Sequence, residues 1–250
     1  MTPAEIRIFE ELTVNTSGAL KQMMYDGWVL RSSPSSKVKR ANSVTALYPS
    51  TQPIDDKLDF CETFYASENS VPRFRIHEFS ELENLDQRLA TRGYEKIEPT
   101  LLMTLALENK ENEPTTSDGE QLSLEDWLEI NHALRGNAKE TIDAHRTRLQ
   151  SIPLPFTPIA LFNNGDPVCI GFGMQQGNHF GLFDIFTPNT QRNHGYATLV
   201  TCRLLTAAWR QQARIAFLQV EETNVVARKI YERLGFRSLY RYWYRVKRVE

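Results

Sequence analysis

Three cysteines in 250 residues are too few and too scattered for a disulfide framework or a zinc site, because Cys61, Cys169 and Cys202 share no ligand spacing. Each reads as a small buried hydrophobe, no metal is expected, and the compartment reads as reducing. No stretch approaches the ~18 apolar residues that cross a bilayer, so no membrane partner is expected. The opening MTPAEIRIFEELT lacks a basic region followed by an apolar run. A secretory leader is therefore not expected, and the cytoplasm is the expected location.

The chain also lacks a strong net charge, at -2, but this small value conceals an asymmetry. Residues 189–250 hold 12 Lys and Arg against 4 Asp and Glu, whereas residues 1–188 hold 17 against 27. A basic segment inside an acidic chain points to a local anionic ligand rather than to a nucleic-acid surface. Hydrophobic residues at 41% and charged residues at 24% suit a soluble chain with a sizeable core. The length allows one large domain or two of roughly 100–130 residues each.

Residues 108–121, ENKENEPTTSDGEQ, contain no aliphatic or aromatic side chain and read as a solvated linker between residues 1–107 and 122–250. Beyond it the apolar spacing predicts helices at Leu122–Ala133, with Ser123 as N-cap, and at Lys139–Leu149. Strands follow at Phe156–Phe162 and Pro167–Met174, around the turn Asn163-Asn164-Gly165-Asp166, and at His179–Thr187. Then come a helix (Gly195–Gln212), a strand (Ile215–Val220), a helix (Asn224–Leu234) and a closing strand (Phe236–Val246). A meander followed by alternating helices and strands predicts an α/β chain with an α+β type of mixed sheet. In the closing strand Tyr240, Tyr242 and Tyr244 alternate with Arg241, Trp243 and Arg245. Arginine and aromatics over Arg237–Arg248 could bind nucleic acid, but a sheet strand explains the same alternation, and no nucleic-acid partner is expected.

The first part has a weaker version of the same order: strand Ala41–Leu47, helix Asp55–Tyr65, strand Arg73–Ile76, helix Leu82–Arg92 and strand Leu101–Leu107. Gly93-Tyr94 follows one helix as Gly235-Phe236 follows another, each placing glycine at a left-handed C-terminal position before an aromatic. The matching order predicts an internal duplication.

The run Thr187-Pro-Asn-Thr-Gln-Arg192-Asn193-His194-Gly195-Tyr196-Ala197 carries chemistry. A strand ends, a polar loop follows, and a helix begins at small residues. Arg192 supplies positive charge, and Gly195 permits close backbone approach. The free amides of the first helical turn then point at the ligand, with the positive end of the dipole behind them. Together these make a pyrophosphate cradle. An ordinary strand-to-helix turn could carry one Gly and one Arg, so a second signal is needed.

Arg192-x-x-Gly195-x-Ala197 resembles the phosphate-loop motif of the GNAT superfamily of N-acetyltransferases, with Asn193 where Gly is frequent. A second block, from Leu218 through Asn224, Ala227 and Tyr231 to Gly235-Phe236, resembles the superfamily's other signature in the matching order. The resemblance covers roughly residues 122–250. Residues 1–107, with Tyr25-Asp-Gly-Trp28-Val-Leu-Arg31 and Arg40-Ala-Asn42, look like the first half of a bacterial two-lobed subgroup. It implies two tandem GNAT-like lobes, the first degenerate, and acetyl-CoA as co-substrate with an amine acceptor. Ile185 and Thr187, with Phe186 between them, are implied as main-chain partners of the pantetheine arm. The loop Arg192, Asn193, His194, Gly195, Tyr196, Ala197 is implied to hold the pyrophosphate, with Asn224 near the pantetheine or the acetyl end. Tyr231 matches the family's general acid. The base stays open between Asp184 and Glu221, with Glu222 behind them, and His179 and His194 read as loop-edge residues.

The loop Tyr48–Asp56 has no Gly, no Arg and two acids, so the first lobe is expected to bind no pyrophosphate and to shape the acceptor cleft or support its neighbour. Trp28 and Arg31 could face that cleft, but a core Trp and a surface Arg are the favoured reading. The implied enzyme is an acetyl-CoA-dependent N-acetyltransferase acting on a small-molecule amine or amino acid. Protein lysine or N-terminal acetylation, and a catalytically silent CoA sensor, are the alternatives. The patterns specify no oligomeric state.

Overall fold

The computed structural model of the protein describes residues 2–79, 84–107 and 122–247. The expected linker, 108–121, and the first two residues of the expected helix Leu82–Arg92 lie outside the described residues.

Helix α1 (Pro3–Ser17) opens at a capping box of Thr2 and Glu5 with proline in its first turn. It leads into the hairpin β1 (Lys21–Tyr25) and β2 (Trp28–Ser32), whose turn puts Asp26 and Gly27 at positive φ. The sequence patterns assign none of these three elements, for a physical reason. The buried face of α1 includes Glu10, Thr13, Thr16 and Ser17, and every residue of β2 is buried. Neither shows the usual amphipathic period. Next come β3 (Val44–Ala46), α2 (Ile54–Ser67), β4 (Arg73–His77), α3 (Leu85–Thr91) and β5 (Tyr94–Ala106). The expected strand Ala41–Leu47 is thus shorter at both ends, with Lys39–Ala41 in a 3₁₀ turn, and β5 begins seven residues earlier than Leu101.

The remainder follows the predicted order: α4 (Leu124–Arg135), α5 (Lys139–Gln150), β6 (Phe156–Asn163), β7 (Asp166–Gln176), β8 (His179–Phe186), α6 (Tyr196–Arg210), β9 (Ile215–Glu221), α7 (Val225–Arg233) and β10 (Arg237–Lys247). Ser123 caps α4 as expected, in a capping box with Asp126. All ten strands form one mixed sheet, ordered β1-β2-β3-β4-β10-β5-β9-β8-β7-β6. Only β3–β4 and β8–β9 are parallel.

This order is symmetric about its centre, and the symmetry is the duplication anticipated from the sequence. Strands 1 to 4 on one side answer strands 6 to 9 on the other. The two last strands, however, have changed places: β10 pairs with β4 and β5 pairs with β9, while β5 and β10 pair with each other. Each half is completed by the other's final strand. Tyr240, Tyr242 and Tyr244 of β10 pack with α1 and α4 on one face. On the other, Asp86 of α3 accepts from Trp243 Nε1 at 2.6 Å and from Arg245 Nε and Nη2 at 2.8 and 2.7 Å. The arginine–aromatic alternation is accounted for by burial in mid-sheet.

Helix α1 ties the halves together. Its Glu10 forms a bidentate pair with Arg75 of β4 (2.7 and 2.8 Å) and accepts from the Tyr240 hydroxyl at 2.6 Å. The Arg75 guanidinium lies 3.3 Å from the Tyr242 ring centroid. Burial pushes the Glu10 carboxyl up, but Arg75 and Tyr240 outweigh it and hold the carboxyl below its ordinary value. Glu10→Ala is expected to cost about 3–5 kcal/mol, since it strands a buried guanidinium. Denaturant titration at pH 7 would measure it. Because the folded value is depressed, the wild-type contribution is complete above the ordinary Glu range and is lost as pH falls through the folded value. The deficit of the variant should therefore shrink in acid.

Trp28 is a core residue, with Lys57 Nζ 4.1 Å from its ring centroid. Arg31, expected at the surface, is only 2% exposed. The β2 positions on both sides, Leu30 and Ser32, are buried as well, so no alternation warns that the arginine between them is enclosed.

Candidate active site

The parallel pair β8–β9 is in register from His179–Ile215 to Leu182–Leu218 and parts beyond that point. A bulge in β8 contributes to the parting. Phe172 faces Phe183 and Ile170 faces Phe186, so three steps along β8 match two along β7, and Asp184 takes φ +52°. A second bulge, in β5, puts Glu98 at φ +50°. Both acidic side chains line a cavity of about 470 Å³ that opens where the strands separate.

The second half supplies Ile185 from β8, Gln219 and Glu221 from β9, and Asn224, Ala227 and Tyr231 from the start and body of α7. The opposite wall comes from the first half, through Lys37 to Arg40, Glu98 and Thr100, and from β10 through Tyr242 and Tyr244. Of these first-half residues the sequence singled out only Arg40, and only as part of the resemblance of residues 1–107. Their one further signal is the Lys37-Val-Lys-Arg40 run after Ser-Ser-Pro-Ser-Ser, which reads as a solvated loop.

Asn224 caps α7, its side chain accepting from the Ala227 amide at 3.1 Å. Seven residues on, the Tyr231 ring packs edge-on to Phe236, and burial pushes its phenol up to about 12. The three carboxylates considered as bases differ in commitment. Asp184 is held by Arg135 Nη2 at 2.5 Å and Asn131 Nδ2 at 3.1 Å. Burial raises its carboxyl against the pull of these partners. Glu222 pairs with Arg241 Nε. Glu221 is exposed at the cavity and forms no ion pair among the described residues. Glu98 pairs with Lys39 Nζ at 2.5 Å.

The polar loop lies between β8 and α6. Asn193 and Gly195 both adopt left-handed conformations, at φ +67° and +79°. Asn tolerates this region better than most residues, which explains why it can stand where glycine is frequent. Gly195 is the N-cap of α6 and has no side chain to offer, so the first helical bond closes only from the Leu199 amide to its carbonyl. The amides of Tyr196, Ala197 and Thr198 precede that bond. No atom stands within 4 Å of where a Gly195 Cβ would be, so the space over the loop is open. Arg192 Nε donates to the Thr187 carbonyl at 3.3 Å, tying the loop to the end of β8. His194 is exposed and stacks on Tyr196, and Phe186 lies under the Arg135 guanidinium. His179 begins β8, edge-on to Phe9.

The equivalent loop of the first half is filled from within. The Asp26 carboxylate accepts from the Thr51 and Gln52 amides, each at 3.0 Å, and from Lys57 Nζ at 3.1 Å. Hydrogen bonds from these amides hold its carboxyl far below the usual range. An internal anion occupies the loop amides here, whereas those of the second half face open space.

Among the described residues no group of His, Cys, Asp or Glu could hold a metal ion, and no helix is long and apolar enough to cross a membrane. Cys61 and Cys169 are buried and Cys202 is half-buried.

A mixed sheet with a parallel pair that splays over a cleft, followed by an uncapped glycine-led helix, defines a GNAT-type fold, here in tandem. Residues 3–245 match the family described as "Probable histone acetyltransferase Rv0428c C-terminal", and the chain belongs to that family within the GNAT superfamily. It is 27% identical over 249 residues to the Bacillus subtilis (strain 168) protein described as uncharacterized N-acetyltransferase YobR, covering 98% of this chain and 99% of that one. The solved GCN5-related N-acetyltransferase from Kribbella flavida has a similar fold, with TM-score 0.71 at 16% identity, covering 99% of this chain and 96% of that one. A tandem GNAT protein from the clavulanic acid biosynthesis pathway also shares it, with TM-score 0.60 at 10% identity over 82% of this chain and 74% of that one.

Proposed function

We propose that the protein transfers acetyl from acetyl-CoA to a primary amine of a small molecule or amino acid. The observation that carries this reading is the parting of β8 from β9, which opens a cavity lined by Tyr231 of α7, beside the strand β8 that leads into the open amide loop. The pyrophosphate is assigned to the loop amides from Arg192 to Ala197. The pantetheine arm is assigned to the edge of β8 at Ile185 and Thr187, which β9 leaves unpaired.

The amine must be neutral to attack. Of the candidate bases, Glu221 is the one with uncommitted oxygens, and it takes the amine proton directly or through water. The amine nitrogen then bonds to the thioester carbonyl carbon, with a β8 backbone amide stabilising charge on the carbonyl oxygen. The carbon–sulfur bond breaks, the sulfur receives the Tyr231 hydroxyl proton, and the second proton shed by the acylated nitrogen passes through solvent to restore the Tyr231 phenol. Asp184 is held by Arg135 and Asn131 and is assigned to orienting the bulge rather than to proton transfer.

Tyr231→Phe is expected to leave acetyl-CoA affinity unchanged and to lower kcat by about 10²-fold, within the range for general acids. With the phenol at about 12, Tyr231 remains a proton donor throughout pH 6–10 and contributes no alkaline fall in rate there. Release of free CoA, followed by thiol titration across a panel of amines and a lysine peptide, tests the reading. Unchanged turnover in the variant would remove Tyr231 from the acid role. Acetyl-CoA binding without CoA release from any acceptor would favour a sensor instead.

A further inference from the structure

Behind Arg40 on the cavity wall stand two further arginines, Arg31 of β2 and Arg148 of α5. Arg31 and Arg148 are buried, at 2% and 7% exposure, and Arg40 is half-buried on the cavity wall. They form one cluster. Arg31 Nη1 donates to the Ser17 hydroxyl at 2.6 Å and to the Arg40 carbonyl at 2.8 Å, while Arg148 Nη1 donates to the Ser17 carbonyl at 2.7 Å. The Nε atoms of all three are buried without a hydrogen-bond partner. No ion pair among the described residues holds any of the three. The carboxylate whose field reaches Arg40 and Arg148 is Asp184, and it is already paired with Arg135. Burial, with Arg148 and Arg40 nearby, pulls the Arg31 guanidinium down to about 10. Beside them the Tyr244 hydroxyl is buried on the cavity wall without an acceptor.

Buried guanidinium charge without a counter-ion is costly, and proteins ordinarily pair it. Of the three, Arg40 reaches the cavity that a substrate must enter, and Arg31 is bonded to its backbone carbonyl from behind. We propose that the acceptor amine carries an anionic group, a carboxylate or a phosphate, that docks on Arg40 and the Tyr244 hydroxyl with Arg31 and Arg148 behind them. This assignment rests on the acetyltransferase reading and narrows its acceptor to amines bearing negative charge. It also gives the first half a task, since Lys37 to Arg40 precede β3. Arg40 and Tyr244 are then specificity residues that touch the acceptor remote from the reacting nitrogen.

The test uses the full chain and matched acceptor pairs: amino acids against their carboxamides, and aminoalkyl phosphates against the amino alcohols. The anionic members should be acetylated with kcat/KM at least about tenfold higher, the scale of one charge-assisted hydrogen bond. The more favoured pair identifies carboxylate or phosphate. Arg40→Met should remove the preference through KM, by about 10–100-fold for the anionic member and under about twofold for its neutral partner. Acetyl-CoA affinity and Tm serve as controls for folding. Tyr244→Phe, which keeps the ring, should give a smaller loss of the same kind. Equal or better use of the neutral members overturns the proposal while leaving the acetyltransferase reading intact; failure to bind acetyl-CoA removes that reading instead. If no panel member is acetylated, inorganic phosphate titrated calorimetrically into the CoA-saturated protein decides. Heat that disappears in Arg40→Met supports the subsite, and heat that is absent or unchanged overturns it.

Discussion

Residues 122–250 expressed alone are expected to show no cooperative unfolding transition, although they contain both sequence blocks of the acetyltransferase signature. The reason is the strand exchange. Without β4 and β5, β10 loses both neighbours and β9 loses one, exposing three rows of backbone donors and acceptors in what was mid-sheet. Leu102 and Met103, both fully buried, are removed from the two central cores. Phe9 and Leu12 of α1 are lost from the first of these as well. Each such side chain contributes about 1.5–3 kcal/mol. Their sum already rivals the ~5–15 kcal/mol that stabilises a typical domain. Circular dichroism melting of the fragment would measure the effect, and co-expression of residues 1–107 should restore the transition. A sigmoidal melt of the fragment alone would show that β5 is dispensable.

Gly195→Glu is expected to abolish acetyl-CoA binding in a protein that still folds. The left-handed φ of this position costs a β-carbon about 1–2 kcal/mol, and the space above it is open, so no neighbour need move. The new carboxylate would sit at the N-terminus of α6 and could take the amides of Tyr196 to Thr198 for itself, as Asp26 takes those of Thr51 and Gln52 in the first half. Loss of two charge-assisted hydrogen bonds to phosphate, at about 1.5–3 kcal/mol each, corresponds to roughly 10²–10⁴-fold in affinity. Isothermal titration should read one site per wild-type chain and none in the variant. A single residual site would mean that the pyrophosphate lies elsewhere, and two wild-type sites would mean that Asp26 yields its loop to ligand.

Much of the second half was legible before its structure. From α4 to β10 the patterns marked every helix and strand to within a few residues, because the helices keep one face in the core and the buried strands β7 and β8 are short apolar runs bounded by turn residues. Gly195 and Asn193 were readable because left-handed backbone restricts residue choice. The first half was read less completely. The inward polar face of α1 serves Arg75 and Tyr240 rather than a simple apolar layer, so its helical period is hidden. Arg31 is enclosed with buried Leu30 and Ser32 on either side, in a cluster whose other members, Arg40 and Arg148, lie 9 and 117 positions away in the chain.

Local sequence by itself determined the order of elements from β3 onward, the loop that ends at Gly195, the cap at Asn224 and the repetition of one plan in two halves. These depend on backbone propensity and on neighbours a few residues apart. Tertiary structure alone decided that β5 and β10 exchange places, that Asp26 fills the first half's loop, and that Arg40 and Glu98 face Tyr231 across one cavity. Each of these joins groups far apart in the chain, and the free energy that selects them arises only when the whole sheet is assembled.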